Sequence, residues 1–398
     1  DFFAKRFHDK NNVITALSAL VIIIFFIPYT ASGFAACGKL FNSLFGINYQ
    51  VAMMLSALLI VGYTITGGFN AVCVTDLVQS IVMTGALAIV LIYGISRAGG
   101  WTAVMDNAAA LPGYLSLTST FDVASGSEVK YNFLTIFSTA AWGLGYFGMP
   151  HILVRFMAIE DEKKLVLSRR IASVWVVIAM TAGVLIGIVG LGMTKAGALE
   201  TLTGSNSETI IVRIAGIISQ HNALTALIAG IILAGILAAT MSTADSQMLA
   251  AASGVSQNIV HDFLKIKISE KTNLLIARLT IVGIAIVSIF LARNPDSSVF
   301  KIVSFAWAGF GGAFGAVVLC SLFWKRCNLA GAIAGIISGG ATVFIWKYLI
   351  RPLGGILDIY ELLPAFIVSL IFIIVVSLLT KAPDEEIVRE FEAAGKKA

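Results

Sequence analysis

Apolar stretches of about twenty residues recur along this chain from end to end, and that recurrence limits its architecture more than any other feature. A hydrocarbon layer about 30 Å thick takes roughly 20 mostly apolar residues for each helical crossing. Ten stretches meet the requirement: 13–36, 51–68, 72–95, 133–157, 171–193, 224–254, 274–291, 299–324, 330–349 and 363–379. Composition agrees, since 58% of the 398 residues are hydrophobic and 12% charged, with a mean hydropathy of +0.92. A water-soluble domain of this size does not tolerate such values. The chain therefore reads as an all-α polytopic membrane protein.

Basic residues orient it. Of the 27 lysines and arginines, eighteen fall at the N-terminus (Lys5, Arg6, Lys10), in 155–170, in 265–278, at Lys325 and Arg326, and in the C-terminal tail. The other nine lie in the alternate loops. The side rich in basic residues is the cytoplasmic one, which places both ends of the chain there and accounts for a pI of about 9.0 without nucleic acid. Residues 1–398 read as a single transmembrane domain, with 383–398 as a short cytoplasmic tail. Because the chain opens at Asp1 on a basic segment, without an initiator methionine or signal peptide, we expect upstream sequence to be missing.

Several chemistries are excluded. Cys37, Cys73, Cys320 and Cys327 have no C-x-x-C spacing and read as packing residues. His8, His151, His221 and His261 are scattered and form no zinc motif. There is no phosphate-binding P-loop, and nothing in the sequence resembles an enzyme. The loop 97–131 contains an amphipathic segment at 101–110, and a second follows at 208–219; both are expected on the outer surface.

Breaks within apolar helices are informative, because backbone groups freed inside a membrane must find other partners, and in transporters such breaks mark binding sites. Pro28 cannot donate to the Ile24 carbonyl, so the first span is expected to kink just before Tyr29. Residues 142–150 (WGLGYFGMP) place three glycines and a proline within nine positions. A straight helix is not expected there. A tolerated kink, or close helix packing through glycine, is the competing explanation at each break. Residues 307–315 (WAGFGGAFG) read as close packing with aromatic fill.

The sharpest polar signal is 239–247 (ATMSTADSQ), inside the apolar run 223–252. Ala239, Ser242, Thr243 and Ser246 share one helical face. Two hydroxyls and a carbonyl can supply about half the oxygen shell of a hard cation such as Na+; a broken partner helix would supply the rest. Asp245 flanks that face, and a second acid, Asp76, lies near the start of the third span. A carboxylate at such depth is costly unless paired, hydrated or bound to a cation, and hydration near an interface remains an alternative for both. So does hydrogen bonding of serine and threonine to their own helix.

Four segments, IIFFIPYTASG (23–33), WGLGYFGMPHILVRFMA (142–158), ILAATMSTADSQ (236–247) and VSFAWAGFGGAFGAVVLCSLFW (303–324), resemble the sodium:solute symporters, in particular their proline-carrying branch. The resemblance spans essentially the whole chain. It implies a leucine-transporter-like inverted-repeat fold with thirteen spans, of which about ten are present, so that a fragment lacking the first three is not expected to transport. It further implies sodium-coupled uptake of L-proline by alternating access, with sodium the coupling ion and no other cofactor. Carried over, the sodium site falls on the Ala239 carbonyl and the Ser242 and Thr243 hydroxyls. A second cation site falls on Asp76, Asp245 and Ser246 with Ser242, and the solute pocket on Tyr29, Trp142, Tyr146 and Pro150. A sodium symporter for another amino acid, pantothenate or a sugar acid, or a transporter-derived membrane sensor, are the alternatives.

Overall fold

The computed structural model describes residues 2–397. Helix α1 (Phe2–Phe7) leads into α2 (Val13–Phe45), α3 (Tyr49–Arg97) and α4 (Trp101–Ala109). An antiparallel hairpin of β1 (Ser119–Asp122) and β2 (Ser127–Lys130) precedes three short helices, α5 (Phe133–Ala140), α6 (Trp142–Gly145) and α7 (Pro150–Met157). Then follow α8 (Leu165–Lys195), α9 (Ile210–Ser219), α10 (Ala223–Ser253), α11 (Glu270–Leu291), α12 (Val299–Phe310), α13 (Ala316–Phe323), α14 (Leu329–Ile345), α15 (Leu362–Leu379) and α16 (Glu385–Lys397).

Among the described residues, nine helical stretches are long and apolar enough to cross a membrane, and they coincide with nine of the ten predicted spans. The tenth, 133–157, is divided among α5, α6, a 3-10 turn at Tyr146–Gly148 and α7, as its glycines and proline lead one to expect. The predicted kink at Pro28 does not end a helix: α2 is helical on both sides of it, and Ser288 Oγ donates to the Ile27 carbonyl at 2.9 Å. The outer amphipathic segments fold as α4 and as a 3-10 turn (Gly204–Thr209) followed by α9. The tail is a helix, α16.

The spans predicted at 51–68 and 72–95 are contiguous in α3, yet α3 cannot be straight. Tyr63 bonds to Met241 and Asp245 on α10, while Val82, Met83 and Ala86 lie against Gly235 of the same helix. A straight helix would separate Tyr63 from Ala86 by about 34 Å, whereas residues 245 and 235 are about 15 Å apart along α10. The chain therefore folds back between its two halves, and both halves pack on α10.

Polar and apolar surfaces are distributed as lipid requires. Asp245 and Gln247 are 0% exposed, whereas Leu58 and Ile92 are each 70% exposed. The loops read as cytoplasmic gather at one end: Arg6 Nε donates to Ser321 O at 2.7 Å, Asn12 Nδ2 to Asp262 O at 2.9 Å, and His8 pairs with Glu390 at 2.8 Å. At the other end the Glu208 carboxylate accepts from Lys39 Nζ at 2.9 Å, Ser298 Oγ at 2.7 Å and the Val299 and Phe300 amides that open α12. Burial opposes its charge, but these donors hold Glu208 below the usual glutamate range.

The larger apolar core joins α2, α10 and α12 to α15. Glycine makes its tightest contacts possible: a Cβ at Gly311 would fall 2.8 Å from Gly145 Cα, and one at Gly339 would strike the Gly312 carbonyl. Backbone cannot yield as a flexible side chain can. Gly339→Ala should therefore cost about 1–3 kcal/mol of stability and lower the melting temperature of the detergent-purified protein, whereas Gly183→Ala, with nothing within 4 Å, should melt as the parent does. Equal melting of the two variants would count against this packing.

Candidate functional site

The break in 133–157 follows from its residues. Met149 precedes Pro150 and is held extended at φ −79°, ψ 108°, since proline's ring crowds the helical conformation of its predecessor. Pro150 then opens α7 at the first turn, where its missing N–H is no loss. A carbonyl of the broken segment, and a side chain just before it, find partners on distant elements. Trp307 Nε1 of α12 donates to the Trp142 carbonyl at 3.0 Å, and Ser138 Oγ accepts from the Tyr360 amide at 2.6 Å.

An aromatic cluster surrounds the break. The Trp142 ring stacks on Phe300, Trp307 and Tyr360 with centroids 5.4, 5.2 and 5.7 Å away, and Tyr146 meets Trp307 edge-on at 4.8 Å. Tyr29, on α2, lies 6.0 Å from the His151 ring, the residue after Pro150. The predicted pocket residues thus border one broken segment. Trp142 and Tyr146 meet through Trp307, and Tyr29 approaches the Pro150 end.

On α10 the Ala239 carbonyl accepts from both Ser242 Oγ and Thr243 Oγ1 at 3.2 Å. The three predicted oxygens are together, and the hydroxyls take the local bond that serine and threonine favour in membrane helices. Asp245 is fully buried and accepts from Tyr63 Oη at 2.5 Å and from the Ser246 amide. Hydration near an interface therefore does not explain Asp245; a phenol neutralises its cost instead.

Asp76 is matched differently. Arg155 of α7 pairs through Nη2 with Asp76, donates to Ser246 Oγ at 2.9 Å, and donates through Nη1 to the His151 carbonyl at 2.7 Å. A guanidinium thus bridges two of the three residues predicted as a second cation site. Four residues of this site are missing from the sequence-based assignment: Tyr63, Arg155, Trp307 and Tyr360. One signal for Arg155 exists in the sequence, an arginine near the end of an apolar stretch, but counting it as a loop charge hides it. The others act through contacts more than a hundred residues apart.

A bundle of apolar helices in which a broken helix meets a polar one at buried charges defines a secondary transporter. The fold is that of a solved Na+-coupled sialic acid symporter in a substrate-bound outward-open state, with a TM-score of 0.72 at 18% identity over 96% of this chain and 77% of that one. The chain belongs to the Sodium:solute symporter family, whose profile matches residues 1–339. It is 39% identical to the osmoregulated proline transporter OpuE of Bacillus subtilis over 391 residues, covering 98% of this chain and 76% of the relative. It is 38% identical to the sodium/proline symporter of Staphylococcus aureus, covering 96% and 73%. It is accordingly a multi-pass plasma-membrane transporter of a sodium-coupled class and not an enzyme, with the leucine-transporter-like inverted-repeat fold.

The Arg155–Asp76 contact gives a test of the site's construction. Asp76→Asn and Arg155→Gln should each lower the melting temperature, and the double variant should fall short of their sum by a coupling of roughly 0.5–3 kcal/mol. Strict additivity would mean that the pair does not hold α7 to α3.

Proposed function

We propose that this protein takes up L-proline with sodium by alternating access, residues 1–398 belonging to a single transmembrane transport domain with 383–398 as a cytoplasmic tail. The observation that carries the proposal is the position of α7. Its first turn adjoins the aromatic cluster, and Arg155, one turn beyond His151, reaches the polar face of α10. One short rigid element therefore touches both the solute side and the ion side. The names of the two relatives support proline as the solute.

Sodium is held by the Ala239 carbonyl and the Ser242 and Thr243 hydroxyls, whose lone pairs replace part of its hydration shell. The hydroxyls give up their bonds to Ala239 and turn their oxygens to the ion, so the local bonds compete with ion binding. Proline is held at Tyr29, Trp142, Tyr146 and Pro150. Its small saturated ring packs on aromatic faces, and its secondary ammonium is attracted to them. Sodium binding from outside raises the affinity for proline, and both leave inside when one helix group rocks against the other. Each inward charge is worth about 2.3 kcal/mol per 100 mV, enough for roughly fifty-fold accumulation at one ion per solute.

Replacing Ser242 and Thr243 together by alanine, in the transporter expressed from its complete reading frame, should raise the sodium concentration for half-maximal proline uptake roughly ten- to thirtyfold. At saturating sodium the proline KM should stay near the parent value. An unchanged sodium dependence removes the ion assignment.

Asp76, Asp245 and Ser246 form a second cation site that opens when Arg155 withdraws. While the guanidinium pairs with Asp76 it performs the neutralisation a second ion would perform. Arg155→Gln should therefore increase the ratio of charge moved to proline moved, read by electrophysiology on proteoliposomes. A ratio identical to the parent's argues that no second cation enters there.

A further inference from the structure

Helices α14 and α15 contribute none of the residues assigned to sodium or proline, yet the segment joining them returns to the aromatic cluster. Beyond α14 the chain leaves regular α-helix through turns at Trp346–Ile350, Arg351–Leu353 and Gly355–Leu357, with Gly354 and Gly355 at φ +74° and +63°. Such values favour glycine, which lacks the Cβ that penalises them. This path delivers Tyr360 to three elements. Its amide donates to Ser138 Oγ of α5 at 2.6 Å, its Oη donates to the Ser304 carbonyl of α12 at 2.7 Å, and its ring lies on Trp142 of α6 at 5.7 Å and 19°.

The next residue fixes that position. Glu361 is 1% exposed; it accepts from Arg351 Nη1 at 3.0 Å and lies 3.5 Å from Lys347 Nζ. Arg351 also donates through Nε to Asp358 at 2.8 Å, and Lys347 sits over the Phe305 ring at 4.3 Å. A buried carboxylate is tolerated only where cations and hydrogen bonds meet it. Two cations from the turns that follow α14 therefore define where Glu361 rests. Leu362 follows, fully buried and in the path of any Cβ at Gly311. Held on both sides, Tyr360 has little freedom to leave the Trp142 ring.

We infer that Tyr360 is a positioning residue of the solute pocket, setting the plane of the Trp142 ring and tying α5 to α12, with Glu361, Lys347 and Arg351 as its anchor; this rests on the reading of Trp142 as a pocket wall. The role is distinct from that of an aromatic at the membrane surface, because the amide and Oη bonds aim the residue at the break itself. It also gives the two helices that follow α12 and α13 a part in solute selection.

The test compares Tyr360→Ala, Tyr360→Phe, Glu361→Gln and Trp142→Ala in the transporter expressed from its complete reading frame, with membrane abundance measured for each. Tyr360→Ala should raise the proline KM roughly five- to tenfold, the value of a lost aromatic contact, while the maximal rate per transporter and the half-saturating sodium concentration stay near the parent's. Tyr360→Phe keeps the ring and the amide bond and should restore most of the affinity. Glu361→Gln should shift the proline KM in the same direction as Tyr360→Ala. Where Tyr360→Ala does not reach the membrane, Tyr360→Leu against Tyr360→Phe carries the same comparison. A parental KM in Tyr360→Ala beside a raised KM in Trp142→Ala overturns the positioning role alone. A parental KM in both removes the pocket reading and the positioning role with it. A fall in maximal rate and sodium affinity matching that in proline affinity, or a Tyr360→Phe as impaired as Tyr360→Ala, marks a merely structural residue and likewise overturns the role.

Discussion

Inside a membrane a main-chain amide or carbonyl without a partner has no water to turn to, and the stretch from Ala141 to Pro150 is where this chain meets that constraint. Its helical bonds lapse at Met149 and Pro150, and neighbouring elements compensate. The Trp307 indole takes the Trp142 carbonyl. Glycines on both sides let the backbones close: Gly148 lies where a Cβ would meet the Phe310 carbonyl and the Gly315 amide. The facing segment is itself irregular, a π-turn at Gly311–Gly315. Two interrupted helices thus support one another, and neither interruption is affordable alone.

The same accounting governs the charges. Asp245 is met by Tyr63, Asp76 by Arg155 and Glu361 by Lys347 with Arg351. In a medium of low dielectric constant, removing one partner leaves the other exposed to the full cost of burial. Such pairs hold helices in one arrangement, or in a second arrangement that offers equivalent partners, and they resist positions between. That is the property an alternating-access device requires, because packed interfaces with discrete partners switch and do not creep.

Hydropathy made nine spans legible because each is a local property of twenty residues. The tenth was legible as a break, since Gly143, Gly145, Gly148 and Pro150 are local too. The face shared by Ala239, Ser242 and Thr243 followed from helical periodicity, and so did the flanking place of Asp245. Their partners did not follow. Tyr63, Trp307 and Tyr360 are ordinary aromatics by sequence, and only the fold carries Tyr63 to Asp245 across 182 positions or Trp307 to Trp142 across 165. Arg155 misled for a related reason: an arginine a few residues from a cytoplasmic loop looks like a topological charge until α7 turns it inward. Pro28 lies inside α2, which stays helical on both sides of it, and Ser288 of α11 bonds to the Ile27 carbonyl beside it.

Helix α7 has eight residues and a length of about 12 Å, too short to bend appreciably within itself. Its first residue is Pro150, at the aromatic cluster, and Arg155 lies five residues on, bonded back to the His151 carbonyl. Displacement at one end therefore appears at the other. Arg155 bonds back to the His151 carbonyl through Nη1 while Nη2 holds Asp76, so one guanidinium links α3 to the turn that lies beside Tyr29 on α2. If the aromatic cluster closes on a solute, Pro150 moves and carries Arg155 relative to Ser246. On the proposed assignment of the two sites, coupling between ion and solute needs no long chain of intermediates, because one short helix borders both.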